Sequence, residues 1–395
     1  MSSRVCALYR LRFRFSPPVH VPRSTNQVSL HVEVVDESGQ SVSLAKALSS
    51  TMGCQEADRG GWVVQVHACD QSCTCPQDRP CRPSSITMTR MQSHATLSVV
   101  LPADTPDAFR FHACLQTRST GAAPTYLTLG AFTQSGSPLS DANTIFVLPV
   151  WSDLISRIMP LSTSSSSDSI SLRCFSAPSH PPLAIEERYG EAMASHAWDA
   201  GICLASYLLY QQASIFQTRP NMRVLEIAAG CGVLGLAVAT MLPPSASIIL
   251  TEKPATLPLL QRNVARHPSL ASLVHVLPLE WAHHDNIVAV CAAIAPATLD
   301  VLLLADVLYH WAAHAALVST VASLASPTTI IFLAHKHRSK VSTAALRRLV
   351  ESNNPNCTTC IPAAACPWHA WTLVSIAVVG ATEIFQLKQQ AKTSS

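Results

Sequence analysis

The second half of the chain alternates between two hydrophobic patterns. Short runs of β-branched and large aliphatic residues predict buried strands, and longer segments with apolar residues three and four positions apart predict helices. The predicted strands cover residues 223–228, 247–251, 273–278, 299–304, 328–334, 370–378 and 382–388. The predicted helices between them cover residues 232–242, 254–266, 284–294, 311–325 and 340–352. Strands that alternate with helices form a mostly parallel sheet with helices on both faces, so this half is predicted to be an α/β domain.

Both ends of this α/β half depart from the simple alternation. Before the first strand, residues 186–212 are predicted to form a helix or a helix pair, because apolar residues recur on one helical face from Ile202 to Leu209. At the other end, only a turn containing Gly380 separates the last two strands. Such a short connection produces an antiparallel hairpin. The fold class expected is therefore a Rossmann-like sheet of seven strands with a terminal antiparallel hairpin.

The first half of the chain shows a period of two, which is typical of half-buried strands. Six strands are predicted, at Tyr9–Phe15, Val28–Val35, Trp62–His67, His94–Leu101, Phe109–Gln116 and Tyr126–Phe132. They predict a smaller all-β domain, a sandwich or a barrel-like module. A Ser-rich and Pro-rich segment follows, which cannot bury enough apolar surface to order itself. The predicted organisation is a β-rich domain at 1–158, a linker at 159–184 and the α/β domain at 185–390.

Composition narrows the classes of protein. The chain has 395 residues, of which 48% are hydrophobic and 13% charged, with a net charge of +3. A charge this small gives no support for nucleic-acid binding, and no apolar stretch is long and uninterrupted enough to span a membrane. Fourteen cysteines without a secretory signal predict an intracellular protein. We expect the cytoplasm, with the nucleus or mitochondrion as alternatives, because the arginines before Glu33 also resemble a transit peptide.

Two cysteine groups raise the question of a metal site. The first consists of Cys69, Cys73, Cys75 and Cys81, with Cys54 and His67 nearby, and the second of Cys357, Cys360, Cys366 and His369. Structural zinc sites usually combine two separate cysteine pairs, and neither group contains a clean second pair. We therefore expect cysteine-rich loops and no metal at both positions, with a zinc site as the alternative.

The segment after Arg223 carries the clearest chemistry. A predicted strand leads into five small residues and then into a helix that ends at Pro243-Pro244. The small residues are Ala228, Ala229, Gly230, Cys231 and Gly232. Such a turn lets a nucleotide approach the backbone, and the start of the helix offers N–H groups to a charged part of the ligand. Glu252 directly follows the next strand, where a carboxylate can accept hydrogen bonds from a ribose diol. Together they predict a ligand that contains adenosine.

An ordered set of motifs over about residues 186–388 resembles the seven-strand protein-lysine methyltransferases of methyltransferase family 16, which are class I S-adenosylmethionine-dependent enzymes. The motifs are Ala197-Trp-Asp-Ala200, Leu225-Glu-Ile-Ala-Ala-Gly-Cys-Gly232, Thr251-Glu252, Gln261-Arg-Asn-Val264, Leu279-Glu-Trp281 and Ala305-Asp-Val-Leu-Tyr309. One position departs from the family pattern, because Ala228 stands where the family turn has its first glycine. If that position needs a positive φ, alanine costs about 1–2 kcal/mol.

The resemblance implies a set of site residues. S-adenosyl-L-methionine is the implied cofactor, bound by Trp198, Glu226, Ala228, Ala229, Gly230, Gly232, Glu252, Trp281 and Ala305. In this group of residues Trp281 would cover the adenine face, although both tryptophans are also explained by core packing. Asp306 and Tyr309 are the implied catalytic residues. Asp306 would orient the incoming lysine, and Tyr309 would line its side chain. The alternative for Asp306 is a cap on the following helix.

The resemblance implies an enzyme that N-methylates a lysine side chain of a protein, with chaperones or translation factors as clients. Two alternatives stay open at this point: a catalytically weak or inactive scaffold protein with this fold, and a methyltransferase for small molecules or nucleic acid. Asp306-Val-Leu-Tyr309 lacks the two prolines that adenine methyltransferases usually carry here, so nucleic acid is the weaker expectation. The basic segment His335-Lys-His-Arg338 is expected to be solvated loop charge, with contact to an acidic substrate surface or to RNA as the alternative.

Overall fold

The computed structural model describes most of the C-terminal half and the strands of the N-terminal half. In the C-terminal half it covers residues 180–189, 191–211, 215–216, 219–338, 371–379 and 381–389. In the N-terminal half it covers residues 7–13, 20–36, 40–42, 62–70, 84–88, 94–101, 105, 107–117, 127–128, 145–148, 150–151, 155–156 and 170–177. The chain forms two compact units, Ser2–His196 and Ala197–Ser395 with Met1.

The N-terminal unit contains twelve strands among its described residues. They are β1 (Ala7–Phe13), β2 (Gln27–Val35), β3 (Trp62–Asp70), β4 (Ser84–Met88), β5 (His94–Val100), β6 (Ala108–Thr117), β7 (Leu127–Thr128), β8 (Ile145–Leu148), β9 (Val150–Trp151), β10 (Ile155–Ser156), β11 (Ile170–Ala177) and β12 (His180–Arg188). One sheet has the order β5-β2-β1-β8, and the other has the order β12-β11-β9-β6-β3-β4, with β10 on β6 and β7 on β11.

The two sheets share one apolar core, which makes the unit a β-sandwich. Leu11, Val32 and Leu97 from the first sheet pack in the same cluster as Val64 and Phe111 from the second. The alternation of buried and exposed residues along β5 shows the expected period of two. The prediction of an all-β N-terminal module is confirmed.

The other face of β1 carries buried charge. Arg10 is fully buried, and so is Arg173 on β11. The Arg173 guanidinium donates to the Glu187 carboxylate, to the Leu11 carbonyl and to the Tyr189 hydroxyl. Burial raises the pKa of the Tyr189 hydroxyl to about 12, so this phenol stays protonated beside the ion pair. A buried charge of this kind is tolerated only when hydrogen bonds satisfy it, as they do for Arg173.

The structure differs from the predicted linker over residues 170–184. There, β11 and β12 pair as an antiparallel hairpin instead of an unstructured segment. Leu172, Leu183 and Ile185 are buried, which supplies the apolar contact that composition alone did not suggest. The prolines are compatible with this arrangement because β12 is an edge strand, where a missing N–H donor costs little.

The C-terminal unit is built from five α-helices and seven strands among its described residues. The helices are α1 (Asp199–Gln211), α2 (Val233–Ala239), α3 (Leu257–Ala265), α4 (His284–Ile294) and α5 (His314–Leu324). The strands are β13 (Arg223–Ile227), β14 (Ser247–Glu252), β15 (Val274–Pro278), β16 (Val301–Ala305), β17 (Ile330–Lys336), β18 (Trp371–Val379) and β19 (Thr382–Gln389).

These seven strands form one sheet with the order β15-β14-β13-β16-β17-β19-β18. The first five strands of that order run parallel, and β19 pairs antiparallel with both β17 and β18. The predicted Rossmann-like sheet with a terminal hairpin is confirmed. The strand order reverses at β13, so the carboxyl ends of β13, β14 and β16 meet where ligands bind in open α/β sheets.

The structure corrects one predicted element and leaves another outside its range. The predicted helix at 186–212 is shorter than expected, because residues up to Arg188 belong to β12 and the α-helix begins only at Asp199. The start at Asp199 places a carboxylate in the first turn, which favours a helix beginning there. The predicted helix at 340–352 lies outside the described residues.

Candidate functional site

The turn after β13 has an unusual backbone. Ala228 has φ 57°, Gly230 has φ 57° and Gly232 has φ 87°. Ala229 donates its N–H to the Thr251 carbonyl oxygen at 2.8 Å, and Gly232 donates to the Ala229 carbonyl oxygen at 2.8 Å. Ala228 is therefore the strained departure from the family turn, since left-handed φ costs alanine about 1–2 kcal/mol.

Replacing Ala228 with glycine is expected to stabilise the protein by about 0.5–1 kcal/mol. The change relieves the left-handed strain, and the greater freedom of glycine in the unfolded chain offsets part of that gain. Urea unfolding of the wild type and the variant measures the difference. Ala229→Gly is the matched control, because Ala229 has no positive φ, and it is expected to lose about 0.5–1 kcal/mol. Equal losses in both variants would contradict a strained Ala228.

Glu252, at the end of β14, is joined to the turn. Its carboxylate accepts the Gly230 N–H at 2.9 Å through Oε2 and the Lys253 N–H at 2.9 Å through Oε1. The side chain is buried, although it ends a strand at the carboxyl edge. The structure thus brings together the predicted turn and the predicted ribose-binding acid. It also shows that the Ala229, Gly230 and Gly232 N–H groups already have acceptors, which differs from the expectation that turn amides bind the ligand.

Glu226, in β13, has its side chain against Gly235 at the start of α2. Its side chain is buried, and a Cβ on Gly235 would lie 2.4 Å from its Oε2 atom and 2.1 Å from Leu250 Cδ2. Burial raises the pKa of the Glu226 carboxyl well above its ordinary value, a hydrogen bond from the Gly235 backbone lowers it, and the charge of Glu252 raises it further. Glu226 therefore supports the start of α2, and Gly235 is a required glycine that the motif comparison did not single out.

Glu226→Gln is expected to be more stable than the wild type at pH 8, with a difference that shrinks towards pH 5. The raised pKa means that folded protein holds a proton that the unfolded chain releases, so wild-type stability falls as pH rises from the unfolded towards the folded pKa. One group contributes at most about 1.4 kcal/mol per pH unit. Urea unfolding from pH 5 to 8 measures this slope. A stability difference independent of pH would contradict a protonated Glu226.

Trp281 and Ala305 lie at the same edge of the sheet as the turn. Trp281 is half-buried and packs, together with Ala228, against one core cluster that includes Val307 and Leu308. Ala305 ends β16 and lies beneath α1, because a Cβ on Gly201 would be 3.9 Å from its Cβ and 3.5 Å from Val233 Cγ1. The segment after β15 and the end of β16 thus lie at the same edge of the sheet as the turn.

Asp306, the first residue after β16, is held by an arginine that the motif comparison missed. Arg338 Nη1 donates to Asp306 Oδ1 at 2.9 Å, and Nη2 donates to Oδ2. The Lys336 backbone N–H donates to Oδ1 at 3.3 Å. The Arg338 guanidinium also lies over the Trp198 ring, 5.0 Å from its centroid. Asp306 and Trp198 therefore share one cationic neighbour, and no helix begins at Asp306 for it to cap.

Tyr309 is the more accessible of the two predicted catalytic residues. It is 54% exposed, and its ring lies 6.5 Å from that of His310. Partial burial raises the pKa of the Tyr309 hydroxyl, and the charge of Glu252 raises it further. The end of β14 is therefore close enough to the segment after β16 for the charge of Glu252 to act on Tyr309. Tyr309 is thus an exposed phenol at the same edge as Glu252.

The basic segment at the end of β17 is not solvated loop charge. Lys336 Nζ donates to the Asp199 carboxylate, and His337 Nε2 lies 3.0 Å from Glu383 Oε2. His335 is fully buried. The expectation of free loop charge was therefore wrong, because the sequence does not show which acids face these cations in the folded sheet. The only sign of these cations in the sequence was a run of basic residues at the end of a predicted strand.

Strained backbone is concentrated at this edge. The positive-φ residues other than glycine, within the described ranges, are Ala228, Ala282 and Asp306. Each follows the carboxyl end of a parallel strand. Left-handed conformations cost bulky residues free energy and collect at functional sites, so their position independently marks this edge as the candidate site.

Metal binding finds no support in the described part of the chain. The residues that the structure covers contain no group of three or more His, Cys, Asp or Glu side chains arranged to hold an ion. His67 and Cys69 lie in β3, but the remaining members of both cysteine groups lie outside the described residues. None of the described helices has the length and apolar composition that crossing a membrane requires.

Comparison with known proteins points to one family. Residues 178–352 match the family described as lysine methyltransferase. A UPF0665 family protein of Schizosaccharomyces pombe is 26% identical over 206 residues, 49% of this chain and 57% of that protein. EEF1A lysine methyltransferase 3 of Mus musculus is 27% identical over 160 residues, 40% of this chain and 63% of that protein. Protein N-lysine methyltransferase METTL21A of Mus musculus is 25% identical over 169 residues, 42% of this chain and 72% of that protein.

These matches concern the C-terminal half. The chain spans less than two thirds of the length of the first two relatives. The matched region includes the turn after β13, Glu252, Trp281, Asp306 and Arg338, which together form the edge described above. The resemblance inferred from the ordered motifs is confirmed, because residues 178–352 match the lysine methyltransferase family.

Proposed function

We propose that this protein is an S-adenosylmethionine-dependent methyltransferase that N-methylates a lysine side chain of a protein substrate. The observation that carries the proposal is the lysine methyltransferase match over residues 178–352, which contains the whole candidate site. Two mouse relatives are named as lysine methyltransferases. The Glu252 contact with the turn and the strained carboxyl edge support the same conclusion.

The residues present fit S-adenosylmethionine. Glu252 keeps a carboxylate at the end of β14, beside the left-handed turn, where its remaining lone pairs would accept hydrogen bonds from the ribose hydroxyls. Trp281 is half-buried and offers an indole face for the adenine. Trp198, directly before α1, and Ala305, at the end of β16, would line the same ligand. The cofactor supplies an electrophilic methyl group on its sulfonium sulfur.

The protein's contribution to the reaction is to position the acceptor. A free lysine of pKa about 10.4 is charged near pH 7.4, and neutralising it costs about 4 kcal/mol. Asp306 would orient the ammonium through its carboxylate and help to remove the proton that the lysine must lose before it attacks, and Tyr309 would line the aliphatic chain of the lysine. The displacement needs a nucleophile aligned with the methyl group, so the protein would lower the reaction barrier mainly by orienting the lysine and by local charge.

Calorimetry with S-adenosylmethionine and transfer of a radiolabelled methyl group into a cell lysate test this function. We expect micromolar binding and label that protease treatment releases but nuclease treatment leaves intact. Binding without transfer, or no binding at millimolar cofactor, would favour a scaffold role, for which the strained Ala228 is the supporting observation. Label removed by nuclease, or found in small molecules, would overturn the assignment of a protein substrate.

The client and the compartment are also part of the proposal. The mouse relatives carry names that refer to protein lysines, so a folded protein such as a translation factor or chaperone is the proposed client. We propose a cytoplasmic location, with the nucleus or mitochondrion as alternatives, because the cysteine content favours a reducing compartment. Mass spectrometry of the labelled protein identifies the client and the modified residue.

A further inference from the structure

Arg338 lies between the two groups that an alkylammonium ion would bind. Its guanidinium forms a two-point contact with the Asp306 carboxylate, with Nη1 2.9 Å from Oδ1. Its central carbon lies 5.0 Å from the centroid of the Trp198 ring. The pair is not deeply buried, since 30% of the Arg338 side chain and 8% of the Asp306 side chain are exposed. A cation is therefore already present at the carboxylate that the proposed function gives to the substrate.

A carboxylate beside an aromatic face is the chemistry that recognises a lysine ammonium. Both oxygens of Asp306 receive hydrogen bonds from Arg338, and the same guanidinium covers the Trp198 face. A second cation at this position would meet an occupied carboxylate and the repulsion of a like charge. Asp306 already accepts three of its about four possible hydrogen bonds, so a substrate lysine competes with Arg338 for this carboxylate.

We propose that Arg338 is a specificity-determining residue: it occupies the lysine-ammonium subsite formed by Asp306 and Trp198, and a substrate lysine binds there by displacing it. The inference rests on the proposed function, because it names the acceptor subsite of that reaction. When a guanidinium holds the subsite most of the time, the apparent affinity for an isolated amine is the intrinsic affinity multiplied by the fraction of time that the subsite is free. Only a lysine presented by a protein with additional contacts then competes effectively.

Lys336 offers a contrast on the same strand end. Its ammonium binds the Asp199 carboxylate, and its backbone N–H donates to Asp306. Removing either side chain takes one positive charge from this edge, but the Arg338 change also removes the two-point guanidinium contact with the Asp306 carboxylate. Arg338→Met and Lys336→Met are therefore matched for charge and differ in the contact that the proposal concerns.

The experiment measures binding of n-butylammonium, which has the four-carbon chain and ammonium of lysine. The full chain is labelled with fluorotryptophan, and the Trp198 resonance is assigned with Trp198→Phe. Titration followed by ¹⁹F NMR compares the wild type with Arg338→Met, Arg338→Lys and Lys336→Met. We expect Arg338→Met to bind the probe about tenfold more tightly, the value for a subsite that is free about one tenth of the time. Lys336→Met is expected to bind like the wild type.

Two results would contradict the proposal. Equal gains in Arg338→Met and Lys336→Met would attribute the effect to general charge and not to occupancy. Weaker binding in Arg338→Met would make Arg338 a positioning residue that orients Asp306. Arg338→Lys keeps the charge but loses the two-point contact, so it is expected to bind with an intermediate affinity even if the methionine variant folds poorly. Asp306→Asn is expected to abolish the Trp198 shift in every background.

Methyl transfer separates this proposal from the proposed function. If lysate proteins are labelled, Arg338→Met is expected to lower KM for the protein substrate and to broaden the range of labelled proteins. If no protein is labelled but butylammonium binding changes as expected, the subsite is real and the enzymatic function fails. If labelling occurs and Arg338→Met lowers kcat without lowering KM or strengthening probe binding, the subsite proposal fails and the enzymatic function stands.

Discussion

Replacing Asp306 with asparagine is expected to reduce kcat/KM for methyl transfer by about 100-fold or more while cofactor affinity stays within about twofold. Removing one preorganised electrostatic group from an active site typically costs a factor of this size. Asparagine is the informative change, because Asp306 has φ 55° and asparagine tolerates that conformation better than alanine does. The loss then reports the carboxylate charge and not a rearranged backbone. Radiolabel transfer and calorimetry with the cofactor measure the two quantities.

The control for Asp306 lies at the other end of the same strand. Asp300 precedes β16 and accepts hydrogen bonds from the Arg223 backbone N–H and the Arg219 side chain. It is a strand-end aspartate in an ion pair, like Asp306, but it lies at the amino end of the parallel strand. Asp300→Asn is expected to change stability slightly and to leave methyl transfer unaltered. Full activity in Asp306→Asn would remove the carboxylate from the mechanism.

Replacing Glu252 with glutamine is expected to weaken S-adenosylmethionine binding about 100-fold. Both carboxylate oxygens receive backbone N–H groups, so one side of a glutamine amide would present its own N–H₂ group to a donor. The substitution loosens the turn and also removes the charge that would hold the ribose hydroxyls. Hydrogen bonds to a charged group contribute about 1.5–3 kcal/mol each, which corresponds to one or two orders of magnitude in Kd.

Glu280 provides the comparison for Glu252. It follows the neighbouring strand β15 and is exposed. Glu280→Gln removes the same charge from the same edge without touching the turn, and it is expected to bind cofactor like the wild type. Circular dichroism and urea unfolding of both variants separate a loss of folding from a loss of binding. Unchanged affinity in a folded Glu252→Gln protein would exclude this carboxylate from the cofactor site.

Much of the architecture could be predicted because buried positions recur with the period of a helix or a strand along the sequence. The parallel strands β13 to β17 and the helix at His284–Ile294 lie close to their predicted positions. The terminal hairpin followed from the short connection at Gly380. The β11–β12 hairpin could not be predicted in this way, since its serines and prolines are typical of linkers. Pairing with the N-terminal sheet supplies the contacts that order it.

The residues of the candidate site likewise fall into those that local spacing predicts and those that tertiary contacts decide. The sequence by itself determined the order of the motifs, and therefore the family, the small-residue turn and the acids at the ends of β14 and β16. Local spacing along the chain is sufficient for those features. Only the tertiary structure decided that Ala228 adopts the left-handed conformation, that Glu226 is buried beneath α2, and that Arg338 lies against Asp306. These depend on contacts between elements that are separated along the chain, and the spacing of residues does not record which charges face each other across a folded sheet.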